Sequence, residues 1–188
     1  MNYYSLEADI FDNSAWYVGD ILEVDNWRFV GPPMIAMDDP LRTERLFIQL
    51  KAEGIRTDFT FAGYAGVPVV SFKALKSISG LDGFTALPVL LSGGVQRDTY
   101  HLLQIWDVVD CFDESHSEFE VISETDPVFA DRAGDYCSVT KLVVDASRAG
   151  DRHFFRVERL EDRVVVSEEV KSRFESARVT GAVFESVN

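Results

Sequence analysis

The sequence predicts an α+β protein of mixed, mainly antiparallel sheets with a few short helices. Three observations lead there. Short runs rich in β-branched and aromatic residues, bounded by Gly, Pro, Asn and Asp, outnumber segments with helical periodicity. The two clear helical stripes each follow a Val-Val-Ser, which suggests two similar strand-helix-strand units. Hydrophobic residues make up 46% of the 188 positions and aromatics 12%, with 14 Phe, enough apolar surface to offset chain entropy and build a core. The length fits a single domain over 1–188, with 1–98 and 99–188 as candidate halves.

Taken in order, Tyr3 to Ile10 roughly alternates and reads as an opening strand, followed by a turn at Asp12-Asn13. Residues 11–57 are poorly specified: Val18 to Asp39 is broken by Gly19, Gly31, Pro32 and Pro33 and suits loops and short strands, while 41–51 fits helix or strand equally. Val67 to Val70 is a strand, Ser71 an N-cap, and Phe72, Leu75 and Ile78 form a helical stripe stopped by Gly80. Phe84 to Leu91 returns as a strand. Thr99 to Val109 and Phe119 to Ile122 are strand-like and flank the turn Asp110 to Ser115, so a hairpin is expected. Val139 to Val144 and His153 to Val157 flank Ser147 to Asp151 and suggest another. Arg163 to Val166 is a strand, Ser167 an N-cap with Glu168 and Glu169 in the first helical turn, and Val170, Phe174 and Ala177 the apolar stripe. Gly181 precedes a last strand over Ala182 to Phe184.

Charge narrows the function. The chain carries 18 Lys+Arg against 32 Asp+Glu, a net charge of −14, which argues against nucleic acid as a direct ligand. The charge is uneven: residues 1–40 hold 8 acids and 1 base, and 105–137 hold 10 acids and 1 base, from Asp107 to Asp135. Such a run repels itself and suits solubility or a positively charged partner. The opening MNYYSLEADI lacks the Lys or Arg of a secretory leader, and no run approaches the roughly 18 apolar residues of a membrane span, so a cytoplasmic location without membrane contact is expected. Cys111 and Cys137 lie in no CxxC pattern and are expected to be reduced thiols.

Sequence motifs for catalysis are absent: there is no GxSxG elbow, P-loop, GxGxxG or HExxH. The densest candidate constellation is Asp107, Asp110, Asp113 and His116, with Cys111 between, which would supply hard oxygen ligands and an imidazole to a metal-assisted hydrolase. Their three-residue spacing across a strand end and a turn does not force convergence. His101 and His153 lie in strand-like runs and read as packed or surface histidines, and Asp110 and Asp113 disfavour a Cys111 thiolate. Of Trp16, Trp27 and Trp106, the last opens the acidic segment and suits a binding anchor.

Several residues together resemble a known family. They are an Asp58-containing segment, the Pro68-Val69-Val70-Ser71 helix start, Gly83 to Val89 ending in LPV, Tyr100 to Ile105, and Val108 to Asp113 with Ser115 or Ser117. Phe155-Arg156-Val157, VVVSEEVK and TGAVFESV close the pattern. This is similar to the immunity proteins of bacterial polymorphic toxin systems, in their eleventh class. The resemblance implies an antidote that binds a toxin and blocks it, with no catalytic site and no cofactor. Of the matched positions, Ser71, Pro88, Tyr100, Arg156, Ser167, Thr180, Gly181 and Phe184 suit caps, turns and core, while Asp110 and Asp113 sit in an exposed turn available to a partner.

The expectation is therefore a monomeric or weakly dimeric immunity protein, not an enzyme, that occludes a cognate and basic toxin. The expected partner-binding residues are Trp106, Asp107, Asp110, Phe112, Asp113, Glu114, Glu118 and Glu120, with Phe119 as a further anchor. Two alternatives make different predictions. The hydrolase would bind a divalent metal stoichiometrically, and an effector adaptor would bind without inhibiting.

Overall fold

The computed structural model describes residues 1–9, 15–22, 46–63, 66–91 and 100–188. One sheet runs in the order β2 (Tyr17–Leu22), β3 (Phe47–Ala52), β6 (Phe84–Leu91), β7 (Tyr100–Ile105), β5 (Val67–Ser71), β4 (Phe59–Ala62). A second runs β13 (Ala182–Ser186), β1 (Tyr3–Ala8), β12 (Leu160–Ser167), β11 (Phe154–Val157), β8 (Val108–Val109). β9 (Glu118–Val121) and β10 (Tyr136–Lys141) pair as a separate ribbon, and the helices are α1 (Phe72–Ser77), α2 (Ala146–Ala149) and α3 (Glu168–Ser176). The fold is α+β with mainly antiparallel pairing, as the sequence predicts.

The two Val-Val-Ser segments head units of one design. β5 and β6 each pair antiparallel with β7, so they run parallel to one another with β7 between them. β12 and β13 flank β1 in the same way. A lead strand joins each unit on its outer side: Phe59 of β4 opposes Val70, and Phe154 of β11 opposes Val166. The caps repeat too. Ser71 Oγ accepts from the Ala74 N–H at 3.2 Å and donates to Asp58 Oδ1 at 2.8 Å. Ser167 Oγ accepts from the Val170 N–H at 3.5 Å and bonds His153 Nδ1 at 2.9 Å. Each serine N–H donates to the carbonyl of that same partner residue, Asp58 or His153.

Strand alternation sorts the apolar residues into three cores. On β12, Val164 and Val166 point into a central core while Val165 points out of the opposite face. The central core joins both units, with Ala74 and Ile78 of the α1 segment and Val170 and Phe174 of α3 against Phe59, Phe154, Leu6 and Leu103. An outer core behind the five-stranded sheet holds Tyr3, Phe155, Phe112 and Tyr136, and one behind the six-stranded sheet holds Trp16, Ile48, Val69 and Leu102.

Two glycines close the units onto each other. Gly83 has φ +93°, and a Cβ there would stand 2.7 Å from the Phe154 carbonyl oxygen. Gly181 has φ +85°, and a Cβ there would collide with the Phe59 carbonyl oxygen. Each unit's glycine thus packs on the other unit's lead strand, in a conformation that side chains rarely adopt. Arg156 is fully buried: its guanidinium donates to the Glu161 and Gly66 carbonyls, and desolvation holds its pKa down to about 10.

Neither expected hairpin forms. β9 pairs with β10 rather than with the strand before the acidic turn, and β8 pairs parallel with β11. The turn is held elsewhere, because the Asp113 N–H donates to the Val143 carbonyl and the Asp145 N–H to the Cys111 carbonyl, drawing 143–145 alongside 111–113. The 147–151 stretch is not a hairpin turn. Asp145 caps α2 by accepting from the Ser147 N–H, and β11 turns back on β12 through Glu158 and Arg159, a shorter link than any return to β10. The ambiguous 41–51 run is strand from Phe47 onward. Trp27, the Asp12-Asn13 turn and residues 23–45 lie outside the described residues. Among those described, no helix is long and apolar enough to cross a membrane.

Candidate partner-binding surface

The acidic segment leaves β7 at Trp106, which is 37% exposed, and runs through β8 and the turn into the β9–β10 ribbon. An aromatic cluster fastens the ribbon. Tyr136 stacks on Phe112 at 3.9 Å, and Phe119 meets both rings edge-on at 5.0 Å. The Arg159 guanidinium lies 4.2 Å above the Tyr136 ring. The Tyr136 hydroxyl donates to Glu114 Oε1 at 2.6 Å and accepts from Arg159 Nη1 at 3.0 Å. Burial, then the bond to Glu114, pushes the Tyr136 phenol up to about 12.

The carboxylates divide into two sets. The first is engaged: Asp107 pairs with Arg152 at 3.3 Å, Asp110 with Arg148 at 3.3 Å, and Glu114 with Arg159 at 3.7 Å. Asp113 bonds His116 Nδ1 at 2.7 Å and accepts from the Ser115 N–H, and the His116 bond first among these contacts holds its carboxyl below the usual range. The second set carries its charge without a cation. Glu118 reaches only the Thr140 hydroxyl, and among the described residues no ion pair or hydrogen bond engages the side chains of Glu120, Glu124 and Asp131, all exposed. Between them stand Val128 and Phe129, apolar side chains 70% and 47% exposed, while Asp126 accepts from both their N–H groups and is held low by those bonds.

The expected site residues therefore fall into different places. Trp106, Asp110, Glu114, Glu118 and Glu120 are exposed, and Asp107 and Asp113 are half-buried. Phe112 is 7% exposed, stacked within the outer core and unavailable to a partner without repacking; Phe119 is half-buried against the same core. Glu124 and Asp131 belong to the acidic run but were not among the expected partner-binding residues, and neither were Val128 and Phe129. The signal present was a Val-Phe pair inside an acidic, Pro-punctuated stretch where no strand would cover it.

The structure does not draw Asp107, Asp110, Asp113 and His116 together: Asp107 turns to Arg152 and Asp110 to Arg148, and only Asp113 and His116 pair with each other. Among the described residues no group of three or more His, Cys, Asp or Glu is arranged to hold a metal. Cys111 is buried and Cys137 half-buried, both free, and desolvation, reinforced by Asp110 and Asp145, pushes the Cys111 thiol up to about 12. His153 serves the Ser167 cap, and burial holds the half-buried His101 below its ordinary value.

Of the other matched positions, the Tyr100 hydroxyl donates to the Thr57 carbonyl at 3.1 Å and Phe184 packs edge-on against Phe174. The Thr180 N–H and hydroxyl each donate to Asp58 Oδ2 at 3.0 Å. These contacts hold the fold together, in line with the physical reading of those positions. No curated protein matches the chain. A family-wide sequence model described as the Immunity protein family (Imm11) matches residues 4–188, nearly the whole chain, with its capped helices, its cross-packed glycines and its acidic ribbon. The chain belongs to the Imm11 immunity protein family, which points to a toxin-immunity role with a cognate toxin as partner.

Proposed function

We propose that this protein is an antidote that binds its cognate toxin directly and blocks it by occlusion, meeting a basic face of the toxin with the acidic surface of residues 105–137. The observation that carries this reading is the uncompensated set Glu118, Glu120, Glu124 and Asp131, gathered on one ribbon and its loop around the exposed Val128 and Phe129. An unpaired cluster of like charge costs folding stability, and a complementary partner recovers that cost while raising the association rate, up to on the order of 10⁸–10⁹ M⁻¹s⁻¹ at low salt. Trp106 and Phe129 supply apolar area for a desolvated interface centre, which charge alone does not provide.

Co-expression with the product of the adjacent gene tests the reading through growth rescue and co-purification. In the purified complex, Glu118→Lys with Glu120→Lys and Glu124→Lys slows association by about tenfold and flattens its salt dependence. Asp110→Lys with Glu114→Lys has a smaller effect, because Arg148 and Arg159 already offset those charges. Equal association rates for wild type and the ribbon variant would remove this surface from the interface.

A further inference from the structure

A wide cleft among the described residues lies against the acidic ribbon. Its volume is about 1160 Å³, beyond the roughly 300–1,000 Å³ of typical small-molecule pockets. One wall is the β9–β10 ribbon, with Glu120 and Tyr136 to Thr140; the other is the β11–β12 turn and the start of β12, from Glu158 to Arg163. Leu160 and Val139 give it apolar lining, and Phe129 stands exposed on its rim.

The charges in this cleft do not cancel. Three arginines line it, and each is already engaged: Arg132 with Asp135 at 3.0 Å, Arg163 with Glu7 at 2.8 Å, and Arg159 with the Gly134 carbonyl, the Tyr136 hydroxyl and Glu114. Six carboxylates line it as well, and Glu120 and Glu158, one from each wall, have no side-chain partner among the described residues. A cleft with apolar lining, an aromatic rim and unpaired carboxylates on both walls suits long cationic side chains, which lay their methylene stems on apolar surface and carry the charge at the tip.

We infer that this cleft receives a Lys- or Arg-bearing segment of the partner polypeptide, with Glu120 and Glu158 taking the cationic tips and Phe129 packing on the stems. The inference rests on the antidote reading and deepens it by naming the site and the chemistry of the segment. β10 itself is a poor template for strand addition, because Ser138 has φ +46° and the register shifts between Cys137 and Lys141. Recognition in the cleft is therefore through side chains.

Cys137 lines the cleft and reports on its occupancy. Cys111, the other cysteine, is buried with its thiol raised to about 12 and does not react at neutral pH. The test is the rate of Cys137 alkylation by iodoacetamide in the whole protein, with and without an oligo-arginine peptide. With peptide at about ten times its Kd, alkylation slows by about tenfold in wild type and in the control Asp82→Lys with Glu185→Lys, which has the same net charge as the cleft variant. Protection is lost in Glu120→Lys with Glu158→Lys. No protection of wild type, or equal protection of the cleft variant, overturns the inference. The measurement needs no toxin, so a failure of growth rescue, which bears on the antidote reading, stays separate from it.

Discussion

A carboxylate that accepts from Ser71 Oγ and from both the N–H and hydroxyl of Thr180, and that pairs with Lys73 at 2.6 Å, ties α1 to the chain after α3. Burial alone raises the pKa of Asp58, but Lys73, Thr180 and Ser71 outweigh it and hold the carboxyl below its ordinary value. A depressed folded pKa stabilises above the pH at which the unfolded carboxyl titrates, about 4, and that contribution is lost as the pH falls through the folded value. Asp58→Asn therefore costs about 2 kcal/mol at pH 7 by urea denaturation, and the gap to wild type narrows below about pH 4. A gap that is constant with pH would assign Asp58 a packing role only. Sequence reasoning placed Asp58 in the family pattern without a function, since its partner Thr180 lies 122 residues away.

The same locality explains which elements were legible. Ser71 and Ser167 announce their helices because the cap, first turn and apolar stripe all lie within one short stretch of chain. Replacing either by Ala costs about 1 kcal/mol, seen as a shift in the urea midpoint with an unchanged slope. Gly181→Ala and Gly83→Ala each cost about 2–4 kcal/mol in the same assay, since each adds positive-φ strain to a collision with the opposite unit's lead strand. A cost below that of the cap variants would contradict the cross-packing. Strand partners were not legible in this way. β8, β9, β10 and β11 all read as strands, but their pairing depends on 143–145 lying beside 111–113 and on a short turn at Glu158-Arg159 outcompeting longer links.

Across the whole molecule, net charge was plain from composition, but its distribution over the surface was not. Arginines at 148, 152 and 159, distant in sequence, offset the first half of the acidic segment, while Glu118, Glu120, Glu124 and Asp131 in the second half have no cation among the described residues. Sequence reasoning weighted Asp107 to Glu114 together with Glu118 and Glu120; the fold shifts the weight to Glu118, Glu120, Glu124 and Asp131, around a Phe129 that no strand covers. Phe112, which looked like an anchor, became packing because Tyr136 stacks on it.

The proposed antidote role requires that toxin and antidote meet directly and that the meeting is what silences the toxin. The most direct test titrates this protein into the purified product of the adjacent gene and follows complex formation and toxin activity in the same samples. Activity is expected to fall in proportion to the complex formed and to reach its floor at stoichiometric addition. Loss of activity without a complex, or a stable complex that leaves the toxin active, would contradict it.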